Sequence, residues 1–173
     1  MGLPYRIATL LYVFNDANDV LLMHRNHAPN AGLWSPCGGK LETATGESPY
    51  ACAIREAREE IGLSLSPSDL HLWGLLSEEA YQGDAHWLIF LFEIRKSVNS
   101  LPPPHEEGTF RFVPPAQIAT LPIPESDREV LWPLLWKHRG GFFSAHGSPT
   151  ASGGFQWILH ESRPLVPPHG ADH

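Results

Sequence analysis

An α/β fold is predicted by three features of the sequence. β-forming segments lie on either side of one well-capped helix. That helix repeats apolar residues at helical spacing, and Trp87-Leu-Ile-Phe-Leu-Phe92 is a continuous apolar run suited to a strand buried on both faces. Tyr5 to Phe14 is rich in β-formers and reads as the first strand, Asn15 to Asp19 as a turn, and Val20 to His24 as its hairpin partner. Residues 26–47 carry Gly32, Gly38, Gly39 and Gly46 with little periodicity and read as a long loop, which in a compact domain usually marks function. Ser48 before Pro49 supplies a hydroxyl cap and a proline at the first helical position. Gly62 suits the left-handed position past the helix end, and Tyr50, Ile54, Ala57 and Ile61 are predicted to face the core. Beyond it, Leu70 to Leu76, His86 to Ile94 and Thr109 to Val113 read as strands. Ala116 to Thr120 reads as one helical turn and Glu125 to His138 as a helix strained by Pro133. Gly141 to Ser144 and Phe155 to Glu161 suggest a last hairpin. One domain is expected over residues 1–162, with a flexible tail over 163–173.

Composition bounds the function. The 173 residues are 42% hydrophobic and 18% charged, with six Trp and eight Phe, enough for a real core and unlike a disordered chain. Twelve Lys and Arg against nineteen Asp and Glu leave a net charge of −7, a poor basis for general binding to nucleic acid or to an anionic membrane. A polyanionic substrate would need locally arranged charge, most simply a divalent cation. Cys37 and Cys52 form no CxxC pair, so a structural zinc site is not expected and a reduced, cytoplasmic setting is. The longest apolar stretch, Ile7 to Phe14, falls far short of the roughly 20 residues of a spanning helix.

The chemistry lies in Gly38-Gly-Lys-Leu-Glu-Thr-Ala-Thr-Gly-Glu47 and Arg55-Glu-Ala-Arg-Glu-Glu-Ile-Gly-Leu63. On a helix, Glu56, Glu59 and Glu60 stand at i, i+3 and i+4, so three carboxylates share one face within a turn. A hard divalent cation resolves their repulsion, since Mg²⁺ takes oxygen ligands and keeps waters and phosphate oxygens. The same pattern fits a solvated acidic face, with Arg55 and Arg58 as local partners. Glu47, eight residues before Arg55, is placed to tie the loop to the helix.

These residues resemble the Nudix box, the signature of the Nudix hydrolase family. That box runs Gly, five residues, Glu, seven residues, then Arg-Glu-apolar-x-Glu-Glu-x-Gly-apolar. From Glu47 onward every defined position matches, but seven residues separate Gly39 from Glu47, so Thr43-Ala-Thr45 reads as a two-residue expansion of the loop tip. The resemblance implies an α/β/α sandwich with a mixed central β-sheet. It implies hydrolysis of a nucleoside diphosphate linked to another moiety: a nucleoside triphosphate, dinucleoside polyphosphate or nucleotide sugar. Glu56, Glu59, Glu60 and the Gly38 carbonyl would hold Mg²⁺ or Mn²⁺, Glu47 and Arg55 would be structural, and Lys40 would lie near the phosphates. Members of the family take the general base from the box or from a later loop, which leaves Glu56, Glu59, Glu106 and Glu107 as candidates.

Arg25 could contact phosphate or be a surface arginine, and Trp34 could stack on a base or anchor the loop. Tyr81, placed 18 residues beyond Leu63, resembles a tyrosine of dinucleoside polyphosphate hydrolases, and a structural role is the alternative. Trp132 and Trp136 at i, i+4 read as a core stripe. Two other functions are weighed. A nucleotide-binding regulatory module of the same fold would usually lose box glutamates. An isopentenyl diphosphate isomerase would need Cys37 or Cys52 in its site. The expected partner is a small nucleotide, with a homodimer plausible through the edge near Phe155 to Glu161.

Overall fold

Alternation along the first strand divides the interior into two cores. In the computed structural model, which describes residues 2–165, strand β1 (Tyr5–Tyr12) and the two residues after it send Leu11 and Val13 to one side and Tyr12 and Phe14 to the other. The first side is covered by helix α1 (Pro49–Ile61), the second by α2 (Pro115–Ile118) and α3 (Trp132–Lys137). The sheet between them has the order β1-β5-β4-β7-β8, formed with β4 (Leu70–Tyr81), β5 (Ala85–Ile94), β7 (Phe142–Pro149) and β8 (Phe155–Arg163). It is mixed: β1/β5 and β4/β7 are parallel, β5/β4 and β7/β8 antiparallel. A smaller antiparallel sheet, β3-β2-β6, joins Trp34–Ser35, Val20–Arg25 and Gly108–Val113. The α/β prediction is correct, with helices on both faces of a mixed sheet.

The first hairpin is not. The turn forms, held by the Asp19 N–H donating to the Asn15 side chain at 2.8 Å, but β1 and β2 enter different sheets and touch at the bridge Phe14↔Val20. Both edges of β1 are already taken. β5 runs along one in continuous register from Tyr5↔His86 to Tyr12↔Glu93. Along the other runs part of the predicted long loop: Thr9 N–H donates to the Gly39 carbonyl at 2.9 Å, Leu11 N–H to Cys37 at 2.8 Å and Leu41 N–H to Ile7 at 3.0 Å. The loop therefore contains a short strand, β3, and a quasi-strand at residues 37–41. The strand predicted to stop at Leu76 continues through a bulge to Tyr81, where Ala80 adopts φ 50°. The predicted helix over Glu125–His138 forms without a break from Glu125 to Lys137, with a π-helical turn at Asp127–Leu131 leading into α3 and Pro133 in the first turn of α3. β8 reaches Arg163, which pairs with Phe142; of the tail expected over residues 163–173, residues 166–173 lie outside the described ones. β8 is an edge strand that leaves Ile158 and Leu159 exposed.

The larger core is aromatic. Trp73 is wholly buried, with Tyr12, Phe14 and Trp136 at ring-centroid distances of 5.4, 6.2 and 6.4 Å. Trp132 and Trp136 stack at 5.6 Å inside this cluster, the stripe that their spacing predicts. Truncating Trp73 leaves a large cavity in a layer that both β1 and α3 must share. Trp73→Ala is expected to lower unfolding free energy by about 3–5 kcal/mol in a urea titration; a loss under 1 kcal/mol would contradict this packing.

Candidate active site

Helix α1 is cut to length by its own ends. Ser48 Oγ accepts the Ala51 N–H at 3.1 Å, Pro49 opens the first turn, and Gly62 closes the last at φ 70°. Ala53, Ala57 and Ile61 face the smaller core, whereas Tyr50, 38% exposed, meets it edge-on at the wholly buried Phe92, 4.8 Å between ring centroids. The opposite flank carries the carboxylates. Arg55 gathers them: Nε and Nη2 form a fork on Glu47 at 2.8 and 3.0 Å, and Nη1 donates to Glu56 at 2.6 Å and Glu59 at 3.2 Å. Nη2 also reaches the Lys40 carbonyl at 3.2 Å, tying loop to helix. The expanded tip at Thr43–Thr45 is an exposed 3₁₀ turn stitched by Thr45 Oγ1 donating to the Glu42 carbonyl at 2.9 Å, so the extra length leaves the Glu47–Arg55 fork intact.

Backbone approach explains the paired glycines. A Cβ on Gly39 would run into the Glu56 carboxylate, and one on Gly38, at φ 145°, into the Thr9 carbonyl. The Gly38 N–H donates to Glu60 Oε2 at 2.9 Å. Glu60 is 6% exposed, and burial pushes its carboxyl up to about 7 against that hydrogen bond. Burial raises Glu56 as well, in spite of Arg55. One recess brings these groups together, lined by Gly38, Glu56, Glu59 and Glu60 and, from across it, Arg25, Glu106 and Glu107, with Lys40 beside them. The register Arg25↔Gly108 sets the far wall, where Arg25 pairs with Glu107 at 3.5 Å.

The oxygen-rich donor set suits a hard divalent cation. Its present aim does not form a cage: among the described residues no three His, Cys, Asp or Glu side chains are disposed to hold a metal ion. The reason is Arg55, which acts as the cation for Glu56 and Glu59. Glu59, 48% exposed, is held by that one contact at the solvent margin.

Other predicted residues sort differently. Tyr81 lies at the end of β4, its hydroxyl donating to Asn30 Oδ1 at 3.0 Å, and lines a second, more apolar recess that also includes Arg25, Gly38, Gly39 and Lys40. Trp34 lines neither recess. It sits between His24, at 5.1 Å, and the Arg111 guanidinium, at 4.8 Å, as an anchor for the small sheet. Cys37 and Cys52 are wholly buried with thiols pushed up, and line neither recess, so an isomerase site is not assembled. The sequence reading missed Glu78 and Asp127, both in the second recess. The signal existed for Glu78, two residues after the core residue Leu76 and therefore on the same face of β4.

A buried carboxyl raised from 4.5 to about 7 carries a pH-dependent penalty. Below the unfolded value both states are protonated and no penalty exists. It grows as pH rises through the window up to about 7 and is complete above it. Glu60→Gln keeps an acceptor for Gly38 N–H. It is expected to stabilise the metal-free protein at pH 8 by on the order of 3 kcal/mol and to change little at pH 4. Equal effects in urea titrations at both pH values would refute the assignment.

Comparison with known proteins agrees with the box. A family model described as NUDIX domain matches residues 4–132. The fold is similar to that of the mutator MutT protein from Bacillus halodurans, with TM-score 0.70 and 22% identity over 90% of this chain and 97% of that one. The MutT protein from Methanosarcina mazei Go1 gives TM-score 0.66 and 24% identity over 78% and 95%. The E. coli dihydroneopterin triphosphate pyrophosphohydrolase gives 0.59 and 18% over 77% and 98%. At these identities the likeness is one of fold. The family match spans most of the chain and includes the whole helix-borne signature, and on that ground the chain belongs to the Nudix family.

Proposed function

We propose that the acidic recess binds Mg²⁺, with Mn²⁺ able to replace it, and hydrolyses the phosphoanhydride of a nucleoside diphosphate linked to another moiety. One observation carries the reading: Glu56, Glu59 and Glu60 from α1 share a recess with Glu106 and Glu107 and with the cations Arg25 and Lys40. Six carboxylates, counting Glu47, against Arg25, Lys40 and Arg55 leave an excess of negative charge that a tri- or tetra-anionic substrate could not enter without added cations. Glu56, Glu59, Glu60 and the Gly38 carbonyl are assigned as ligands. The bound ions would neutralise the diphosphate and lower the pKa of water.

The chain's own groups do the rest. Arg25, held by Pro29 O at 2.9 Å and by Glu107, presents a fixed guanidinium to phosphate oxygens, with Lys40 on the other side. Glu47 and Arg55 position α1 against the loop. Glu106 has no ion-pair or side-chain hydrogen-bond partner among the described residues, lines the recess and is exposed, which suits a base that must take a proton from water. Glu107 is committed to Arg25. A cytoplasmic setting is supported by two free thiols; no helix among the described residues is long and apolar enough to cross a membrane.

The test is phosphate release from nucleoside triphosphates (oxidised guanine forms included), dinucleoside polyphosphates and nucleotide sugars, with Mg²⁺ or with EDTA. Turnover is expected only with the cation. Glu59→Gln or Glu60→Gln should lower kcat at least about a hundredfold at saturating Mg²⁺, and retained activity would sink the ligand assignment. Glu106→Gln is expected to lower kcat by roughly 10²–10⁴ with KM little changed; an unaltered kcat would exclude Glu106 as the base.

A further inference from the structure

The second recess is walled by apolar side chains, including Leu76, Ile89 and Leu131, yet it holds two acids from distant parts of the chain. Glu78 comes from β4, is 7% exposed, and is placed by the bulge that follows it. Asp127 opens the π-helical turn before α3. No lysine, arginine or histidine pairs with either among the described residues. Ser35 and Trp87, also in this lining, hold a hydroxyl and an indole N–H without a partner. A buried acid, a half-buried one and orphaned polar groups in an apolar recess are unfavourable unless a ligand completes them. Arg25, Pro29, Gly38, Gly39 and Lys40 line this recess and the acidic one alike, so a single ligand can reach from one into the other.

We propose that Glu78 and Asp127 together read the base of the substrate, selecting a ring edge with two adjacent N–H donors beside a carbonyl, as in guanine and in pterins. The proposal rests on the reading of the acidic recess as the diphosphate site. A carboxylate accepts two parallel N–H bonds, one on each oxygen. The second acid, keeping its proton, donates to the carbonyl. Burial favours that single retained proton, since it pushes both Glu78 and Asp127 up to about 7 and the charge on Asp127 adds to the rise at Glu78. An adenine edge alternates donor and acceptor and is satisfied by one protonated acid, leaving the other carboxylate buried and unpaired. The apolar lining of Leu10, Leu76, Trp87, Ile89 and Leu131 suits a ring face, and the Asn30 side chain is fixed by Tyr81 and Gln82, at 3.0 and 3.2 Å.

The experiment is equilibrium binding of GMP, IMP, AMP and a pterin monophosphate, none of which holds a phosphoanhydride, followed by tryptophan fluorescence with Mg²⁺ present. GMP or the pterin is expected to bind at least tenfold tighter than IMP, which lacks the amino group, and than AMP. The better of the two names the ring. In Glu78→Gln and Asp127→Asn, each checked for a native melting transition, that preference should fall to within about threefold, with affinity for GMP or the pterin falling further than affinity for IMP. Equal binding of GMP, the pterin and AMP by the unaltered protein, or a preference that survives in both variants, would overturn the proposal. The phosphate-release panel is independent. Turnover without base preference removes this inference alone, and base preference without turnover removes the hydrolase reading alone.

Discussion

The site depends on one guanidinium. Arg55 spends its three nitrogens on Glu47, Glu56, Glu59 and the Lys40 carbonyl, and each partner belongs to something different. Glu47 ends the glycine loop and Glu56 lies under Gly39. Glu59 is at the solvent margin, and Lys40 is in the segment that runs beside β1. Removing the arginine would loosen the loop and leave several half-buried carboxylates without their counter-charge, a far larger loss than an exposed ion pair implies. Lysine could not replace it, because a point charge cannot form the fork on Glu47 while still donating to two other acids.

That hub has a structural consequence for β1. Because Arg55 and the Gly38–Glu60 hydrogen bond hold residues 37–41 in place, the loop can fill the free edge of β1, and an edge strand disappears into the domain. The same segment then serves both recesses, with Gly38, Gly39 and Lys40 in the lining of each. A loop pinned by sheet hydrogen bonds on one side and by helix carboxylates on the other has little freedom. The proposed metal, phosphate and base positions would therefore share one pinned piece of backbone, which is what positioning a reacting phosphorus demands.

How far the sequence foretells this follows from the range of each interaction. The limits of α1 were legible because caps and left-handed glycines are local, and the acid face because three Glu at helical spacing need no tertiary knowledge. The pairing of β1 was not legible. A strand followed by a good turn and another strand looks like a hairpin, and only β5, more than seventy residues away, and the loop beside β1 decide otherwise. Trp34 shows the same limit: an aromatic residue before a glycine loop could stack on a ligand, but its neighbours His24 and Arg111 come from strands assigned to it only in three dimensions. Tyr50 had the right phase for the core and meets it at Phe92, while part of its ring stays in solvent. Asp127 carries no local signal at all, since an acid at a helix start is ordinary.

The two recesses solve the same electrostatic problem in different ways. In the acidic one, Glu60 and Glu56 are raised by burial while the neighbouring arginines are already committed, so the folded chain holds a site less stable than its own packing would allow. In the apolar one, Glu78 and Asp127 are raised by burial, and no cation among the described residues pairs with either. A chain optimised for stability alone would replace all four with neutral side chains, as surfaces elsewhere in the molecule place their acids in solvent or in ion pairs such as Glu93–Arg139 at 3.0 Å. Strain of this kind persists where a bound partner supplies what the fold withholds. The partner differs in each case: positive charge for the acids of α1, N–H donors for Glu78 and Asp127. A nucleotide carrying its own divalent cation offers both at once. The shared wall of Arg25, Gly38, Gly39 and Lys40 is where its two halves would meet.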